Sequence, residues 1–159
     1  MLGRTYDRDA CSAARALEVA GERWSLLILR NAMFAGMTRF TDFQRSLDIA
    51  PNVLTRRLAT FVEEGLMTTS KGDSEHLEYH LTPRGADFKP VIVALSAWGD
   101  RWAAPDGPPI VYEHEGCGGR VEHRLVCKSC DEVVKPKHVL ARKTKAMDVY
   151  REKWEKRKR

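Results

Sequence analysis

The tightest constraint on the fold lies between positions 40 and 65. Phe40, Phe43 and Leu47 recur at i, i+3, i+7, which is one face of a short helix. Asp48-Ile49-Ala50 is a tight turn, and Pro51 stands where a first helical residue tolerates proline, because its missing N–H would have no helical partner there. Leu54, Leu58 and Phe61 then run i, i+4, i+7, and Gly65 closes the segment in a left-handed cap. Two short helices joined by about three residues predict a helix-turn-helix.

The surrounding chain extends this unit. An amphipathic helix is expected from about Arg8 to Ala20, stopped by Gly21, and a largely apolar, central helix from Trp24 to Met33, ended by Gly36. After Gly65 the period changes. Leu66 to Ser70 reads as a strand, Lys71-Gly72-Asp73-Ser74 as a turn, and Leu77, Tyr79 and Leu81 as a returning strand. A hairpin at this place is a wing. Thr82 can cap and Pro83 can begin a long helix whose Phe88, Val91, Ile92, Leu95, Trp98 and Trp102 form one stripe, up to the Pro- and Gly-rich linker 103–109. No internal repeat is visible. The fold class expected is mainly α (α+β): a winged helix-turn-helix with a dimerisation helix over 1–103, a linker and small zinc-ribbon-like satellite over 104–134, and a basic amphipathic tail over 135–159.

Composition limits the alternatives. A chain of 159 residues, 43% hydrophobic and 31% charged, holds one core and at most a small satellite. No apolar run reaches the roughly 18–20 residues of a membrane span, and no signal-like stretch opens the chain, so a cytoplasmic protein with no membrane partner is expected. The net charge of +5 is uneven: residues 135–159 carry +8 and the rest −3. A polyanion-binding inference from charge alone therefore applies only to the tail.

With Leu54, Leu58 and Phe61 turned inward, the other side of the helix from Pro51 displays Asn52, Thr55, Arg56 and Ala59, with Arg57 on its flank. Arginine pairs bidentately with guanine and asparagine with adenine, while threonine takes a base edge or a phosphate. Arg39, Arg57 and Lys71 are placed to hold phosphates, which set register and dominate affinity. The alternative is that Arg56 and Arg57 only solvate the outer surface.

Behind the linker, His114-x2-Cys117 and Cys127-x2-Cys130 present two pairs of N and S donors at the short spacing that tetrahedral zinc requires, in a closed, structural site. The alternatives are a knuckle without metal, a disulfide formed after isolation, or His123 in place of His114. A zinc deaminase needs His-x-Glu and a proline before its cysteine pair, whereas Glu115 directly follows His114 and Val126 precedes Cys127. With no nucleophile and base, phosphate loop or open metal site, an enzyme is not expected.

Several segments resemble the HxlR family. They are Gly21-Glu22-Arg23-Trp24-Ser25-Leu26-Leu27-Ile28-Leu29, Gly36-Met37-Thr38-Arg39-Phe40, Leu54-Thr55-Arg56-Arg57-Leu58, Glu64-Gly65-Leu66, and Glu78 to Gly85 followed by Trp98-Gly99. The resemblance implies a homodimeric, MarR-related winged-helix regulator that binds double-stranded DNA at a near-palindromic operator, a repressor rather than an activator, with the first and last helices building the dimer. Some members of that family sense oxidants or electrophiles through a cysteine near the start of the first helix, and Cys11, flanked by Arg8 and Arg15, matches that place as a candidate redox sensor for a small-molecule or redox inducer; the alternative is a small residue buried at the dimer seam. Similar His and Cys pairs follow the winged helix in a subset of such proteins. Two features depart from the pattern: Ala50 cannot cap the recognition helix with its side chain, and the wing Lys71-Gly72-Asp73-Ser74-Glu75-His76 lacks a proline-arginine stretch. The rival from another class is a protein-interaction adaptor that docks a partner through the knuckle and tail. The tail, with Val139, Leu140, Lys143, Ala146, Met147, Tyr150 and Trp154 at helical spacing, is either a basic amphipathic helix against the partner or DNA, or a solvated extension.

Overall fold

The computed structural model describes residues 11–72 and 76–150. The expected first turn at Arg8 and the end of the tail at Trp154 lie outside the described residues. The chain divides into two compact units, 1–89 and 90–159. That boundary falls at the head of the last long helix rather than in the linker 103–109.

Glycine and proline set most element ends in the first unit. Helix α1 (Ser12–Ala20) stops at Gly21, whose N–H donates to the Leu17 carbonyl. Helix α2 (Ser25–Phe34) is followed by Gly36 at φ +61°. Helix α3 (Phe40–Leu47) ends at Asp48, which takes the left-handed conformation, and α4 begins at Pro51 and runs to Glu63. Gly65 at φ +69° turns the chain out of α4. Strands β1 (Met67–Lys71) and β2 (Leu77–Leu81) pair antiparallel with Met67 opposite Leu81 and Lys71 opposite Leu77. Arg39 bridges to Glu78, and Tyr79 donates its N–H to the Thr38 carbonyl, so residues 38–39 add a short third strand-like edge to the wing.

The core is one cluster: Ile28 and Leu29 from α2, Phe43 and Leu47 from α3, Leu54, Leu58 and Phe61 from α4, with Ile49, Leu66 and Met67. Burying each such side chain contributes roughly 1.5–3 kcal/mol, and the cluster therefore fixes the phase of α4. Buried Asn31 adds a polar tie, donating to Ser46 Oγ at 3.0 Å while accepting from the Arg30 guanidinium. Among the described residues, Ser25 Oγ is a buried hydroxyl with no hydrogen-bond partner.

One long helix was expected after Thr82, and two are found. Thr82 does cap, accepting from the Gly85 N–H, but α5 ends after one turn (Pro83–Ala86). Gly85 lies so close to the Leu66 carbonyl oxygen that a Cβ would collide with it. The chain is thus pinned to the end of α4 and turns at Asp87 and Phe88. Phe88 packs on the first unit's core, away from the expected common stripe.

In the second unit, α6 (Lys89–Trp102) presents two different faces. Val91, Leu95, Trp98 and Trp102 are exposed along one side, with Trp98 at 63% and Trp102 at 65%. Val93, Ser96, Ala97 and Asp100 lie on the opposite side and line an open cleft of about 460 Å³ shared with Ile110, Tyr112 and Arg120. The tail does not start its helix at Val139. A single 3-10 turn spans Pro136–His138, Val139 and Leu140 are exposed outside any helix, and helical structure begins only at residue 145. Among the described residues, no helix is long and apolar enough to cross a membrane.

Candidate nucleic-acid interface

Helix α4 carries the residues expected to face a duplex. Leu54, Leu58 and Phe61 are fully buried, and Asn52, Thr55, Arg56 and Ala59 are exposed on the opposite side. The sequence-derived face is therefore present, and its polar atoms have partners of their own. Asn52 Oδ1 accepts from the Val53 N–H at 2.9 Å, and Thr55 Oγ1 donates to the Pro51 carbonyl at 2.9 Å. Ala50 makes no side-chain cap. Pro51 removes one orphan donor of the first turn, and the Val53 N–H that Asn52 meets also reaches the Ala50 carbonyl at 3.0 Å. Reading an adenine with both amide atoms would require Asn52 to release Val53.

Arg57 is a correction. Expected on the flank as a phosphate contact, it is 8% exposed, with its guanidinium 3.7 Å from Glu22 Oε2 in the α1–α2 connection. It braces the recognition helix from behind. At about 100° per residue, Arg57 sits only about 60° from the direction of Leu54. The angular signal was available in the sequence and the charge masked it.

Arg39 caps no helix with its side chain but donates from Nε to Glu78 Oε1 at 3.0 Å, while remaining about half exposed. This pair ties the head of α3 to the wing, and the outer guanidinium edge stays at the surface. Lys71, at the end of β1, is exposed. Gly72 follows it at a point where a Cβ would strike the Glu78 carboxylate, so Gly72 packs directly over that ion pair.

Sequence reasoning missed the residues that hold α4 in place from its far end. Thr82 Oγ1 donates to the Gly65 carbonyl at 2.7 Å, and Arg84 donates from Nη1 to the Glu64 carbonyl at 2.6 Å. These bonds satisfy carbonyls that the last turn leaves without helical partners. The Thr-Pro-Arg-Gly run was legible as a helix start; its return to α4 required the tertiary path.

Cys11 is exposed at the N-cap of α1, and its carbonyl accepts from the Arg15 N–H. Of the expected metal ligands, His114 Nδ1 lies 3.2 Å from Cys117 Sγ. Cys127 and Cys130 also pair: the Ser129 N–H, then the Cys130 N–H and the Cys130 thiol, bond to the Cys127 sulfur and hold its pKa below the ordinary thiol range. The two pairs stand apart, and among the described residues no three His, Cys, Asp or Glu side chains converge as a metal cluster.

An outward polar face on the second helix of a helix-turn-helix, a wing beside it and a core behind it are the parts of a duplex-reading module. The HxlR-like helix-turn-helix family profile matches residues 19–107. An uncharacterized HTH-type transcriptional regulator of Mycobacterium tuberculosis (strain ATCC 25618 / H37Rv) is 44% identical over 131 residues, covering 80% of this chain and 82% of the relative. The crystal structure of the transcription factor candidate PA1607 is similar with a TM-score of 0.77 and 34% identity, over 87% of this chain and 99% of that one. A transcription factor candidate of Pseudomonas aeruginosa, PA1374, is similar with a TM-score of 0.59 and 36% identity, over 84% and 92% of the two chains. These relatives are transcriptional regulators rather than enzymes. The chain belongs to the HxlR-like helix-turn-helix family of transcriptional regulators.

Proposed function

We propose that the protein works as a homodimer in the cytoplasm, where it represses transcription by occupying a near-palindromic operator. The observation that carries this reading is the outward face of α4, where Asn52, Thr55, Arg56 and Ala59 stand opposite a fully buried ridge. Asn52, Thr55 and Arg56 would read base edges, and the exposed edges of Arg39 and Lys71 would hold phosphates. The dimer is supported by the exposed side of α6, since Val91, Leu95, Trp98 and Trp102 make a continuous apolar stripe of the kind that marks an association surface. Repression by occupancy needs nothing beyond tight operator binding by that dimer. An oxidising inducer would act in this reading at Cys11, which is exposed at the N-cap of α1. The basic tail would add a salt-sensitive contribution that is independent of sequence.

Footprinting on duplex selected by the protein tests the reading. The expected result is two protected half-sites about 10–10.5 base pairs apart, centre to centre, or a multiple of that spacing. Lys71→Ala should weaken binding uniformly across sequences and reduce the salt slope by about 1. Equal affinity for selected and random duplex would end this reading.

A further inference from the structure

The two donor pairs sit in turns that repeat each other 13 residues apart. Glu113 bridges to Arg120, and Val126 bridges to Val133. Val121 donates its N–H to the Tyr112 carbonyl, and Val134 to that of Leu125. Inside the first turn, the His114 N–H bonds to the Gly119 carbonyl and the Gly118 N–H to that of His114; inside the second, the Cys127 N–H bonds to the Glu132 carbonyl and the Asp131 N–H to that of Cys127. Gly118 and Asp131 take the same left-handed conformation, at φ +68° and +54°. His114 therefore corresponds to Cys127 and Cys117 to Cys130. No repeat was visible in the sequence, because the equivalence lies in hydrogen bonding rather than in residue identity.

These turns have no buried apolar core to hold them. No residue from 103 to 150 is buried, and Val121, Leu125, Val126 and Val133 are all exposed. A segment this short without a core requires a disulfide, a metal or a partner as a staple. The first pair is already close to ligand geometry. Bond lengths of about 2.3 Å to sulfur and 2.0–2.1 Å to nitrogen place two tetrahedral ligand atoms about 3.6 Å apart, against 3.2 Å for His114 Nδ1 and Cys117 Sγ. In the second turn, the Ser129 and Cys130 N–H groups already point at the Cys127 sulfur.

We propose that the two turns are the halves of one zinc site in each chain, with His114, Cys117, Cys127 and Cys130 as its four ligands. Three soft thiolate sulfurs and one imidazole nitrogen suit zinc and leave no open position. On binding, the three thiols lose their protons to solvent and the ion draws the second turn onto the first. The first turn is anchored to the back of α6 by the Ser96–Tyr112 hydroxyl pair at 3.0 Å and by Arg120, 3.9 Å from Asp100. Metal binding thus fixes residues 125–134 to α6 as well. Only residues 122–124 separate the two turns, so the second pair is at high effective concentration for its own chain's first pair, which favours an intrachain site over one shared between copies.

The test uses the full chain, produced in zinc-supplemented medium and purified without chelator. One zinc per chain is expected. Replacement by Co2+ should give the intense visible bands of a tetrahedral ion with thiolate charge transfer, and chelation should expose three further titratable thiols. His123→Ala should keep this spectrum, and Cys127→Ser should lose or shift it. Because that variant could misfold locally, the thiol count on the unaltered chain stands as an independent readout. Absence of metal, half a metal per chain, a six-coordinate Co2+ spectrum, an unchanged thiol count on chelation, or an unaltered spectrum in Cys127→Ser would each overturn the proposal.

Discussion

Glu22 and Arg57 form an ion pair, 3.7 Å apart, that joins the α1–α2 connection to the buried side of α4. The arginine is nearly buried and the glutamate mostly exposed. Neighbouring arginines 56 and 57 therefore have opposite roles, and substitution should separate them. Arg57→Ala should lower unfolding stability by about 1–2 kcal/mol, largely through lost packing of the aliphatic stem, with little change in operator affinity. Arg56→Ala should cost about 1–3 kcal/mol on the operator and relax specificity at one base pair, with stability within about 0.5 kcal/mol. Urea denaturation and fluorescence anisotropy on matched duplexes read the two effects. A large affinity loss for Arg57→Ala with unchanged stability would reverse the assignment.

Asn52 lies in the first turn of α4, where its Oδ1 accepts from the Val53 N–H, and it is a candidate base reader. Asn52→Asp retains an oxygen for the Val53 N–H and adds a negative charge at a helix N-terminus, so stability should hold or rise by a few tenths of a kcal/mol. It removes the amide donor and sets a carboxylate against the duplex, so operator affinity should fall by tenfold or more, about 1.4 kcal/mol. Asn52→Ala should lose affinity with stability within about 0.5 kcal/mol, since the Val53 N–H keeps the Ala50 carbonyl as partner. If Asn52→Asp binds the operator normally, Asn52 reads no base.

The Ser25 hydroxyl is buried without a partner among the described residues. Leaving such a group unsatisfied costs roughly 1–3 kcal/mol. Ser25→Ala should therefore be neutral or raise the midpoint of thermal unfolding. A clear drop would mean that the hydroxyl has a partner in solution.

Gly85 has no room for a side chain, because a Cβ would run into the Leu66 carbonyl and lie 3.1 Å from Leu81 Cδ2. Gly85→Ala should cost about 1–3 kcal/mol, read as a lowered urea midpoint. The same carbonyl accepts from the Thr82 N–H, so the shift would also loosen the hold on the end of α4. Unchanged stability would show that α5 is not pinned there.

Trp98 is exposed on α6 and is expected to anchor the dimer. Trp98→Ala should weaken dimerisation by about 2 kcal/mol or more, seen by sedimentation as a concentration-dependent shift toward monomer, with far-ultraviolet circular dichroism unchanged. A dimer of unaltered affinity would place the association surface elsewhere.

The positions legible from sequence are those whose physics is local. Leu54, Leu58 and Phe61 set the phase of α4 because helical periodicity needs only the chain itself, and that phase put Asn52, Thr55 and Arg56 on the outside. Gly36, Gly65 and Pro51 marked their boundaries because backbone sterics act within one turn. In the C-terminal segment, the four donors were legible by type and spacing, while their repeated turns were not.

Tertiary packing decided the rest. Whether Arg57 meets solvent or Glu22 depends on where a connection 35 residues earlier comes to lie. The break between α5 and α6 falls just before Pro90, whose ring would clash with the Ala86 carbonyl in a continuous helix and which is legible in the sequence, whereas the close approach of Gly85 to the Leu66 carbonyl is set by the tertiary path. Residue identity and period establish which groups a helix offers outward or inward. Which of those groups finds a partner depends on contacts distant in the chain, and these form only once the whole core has closed.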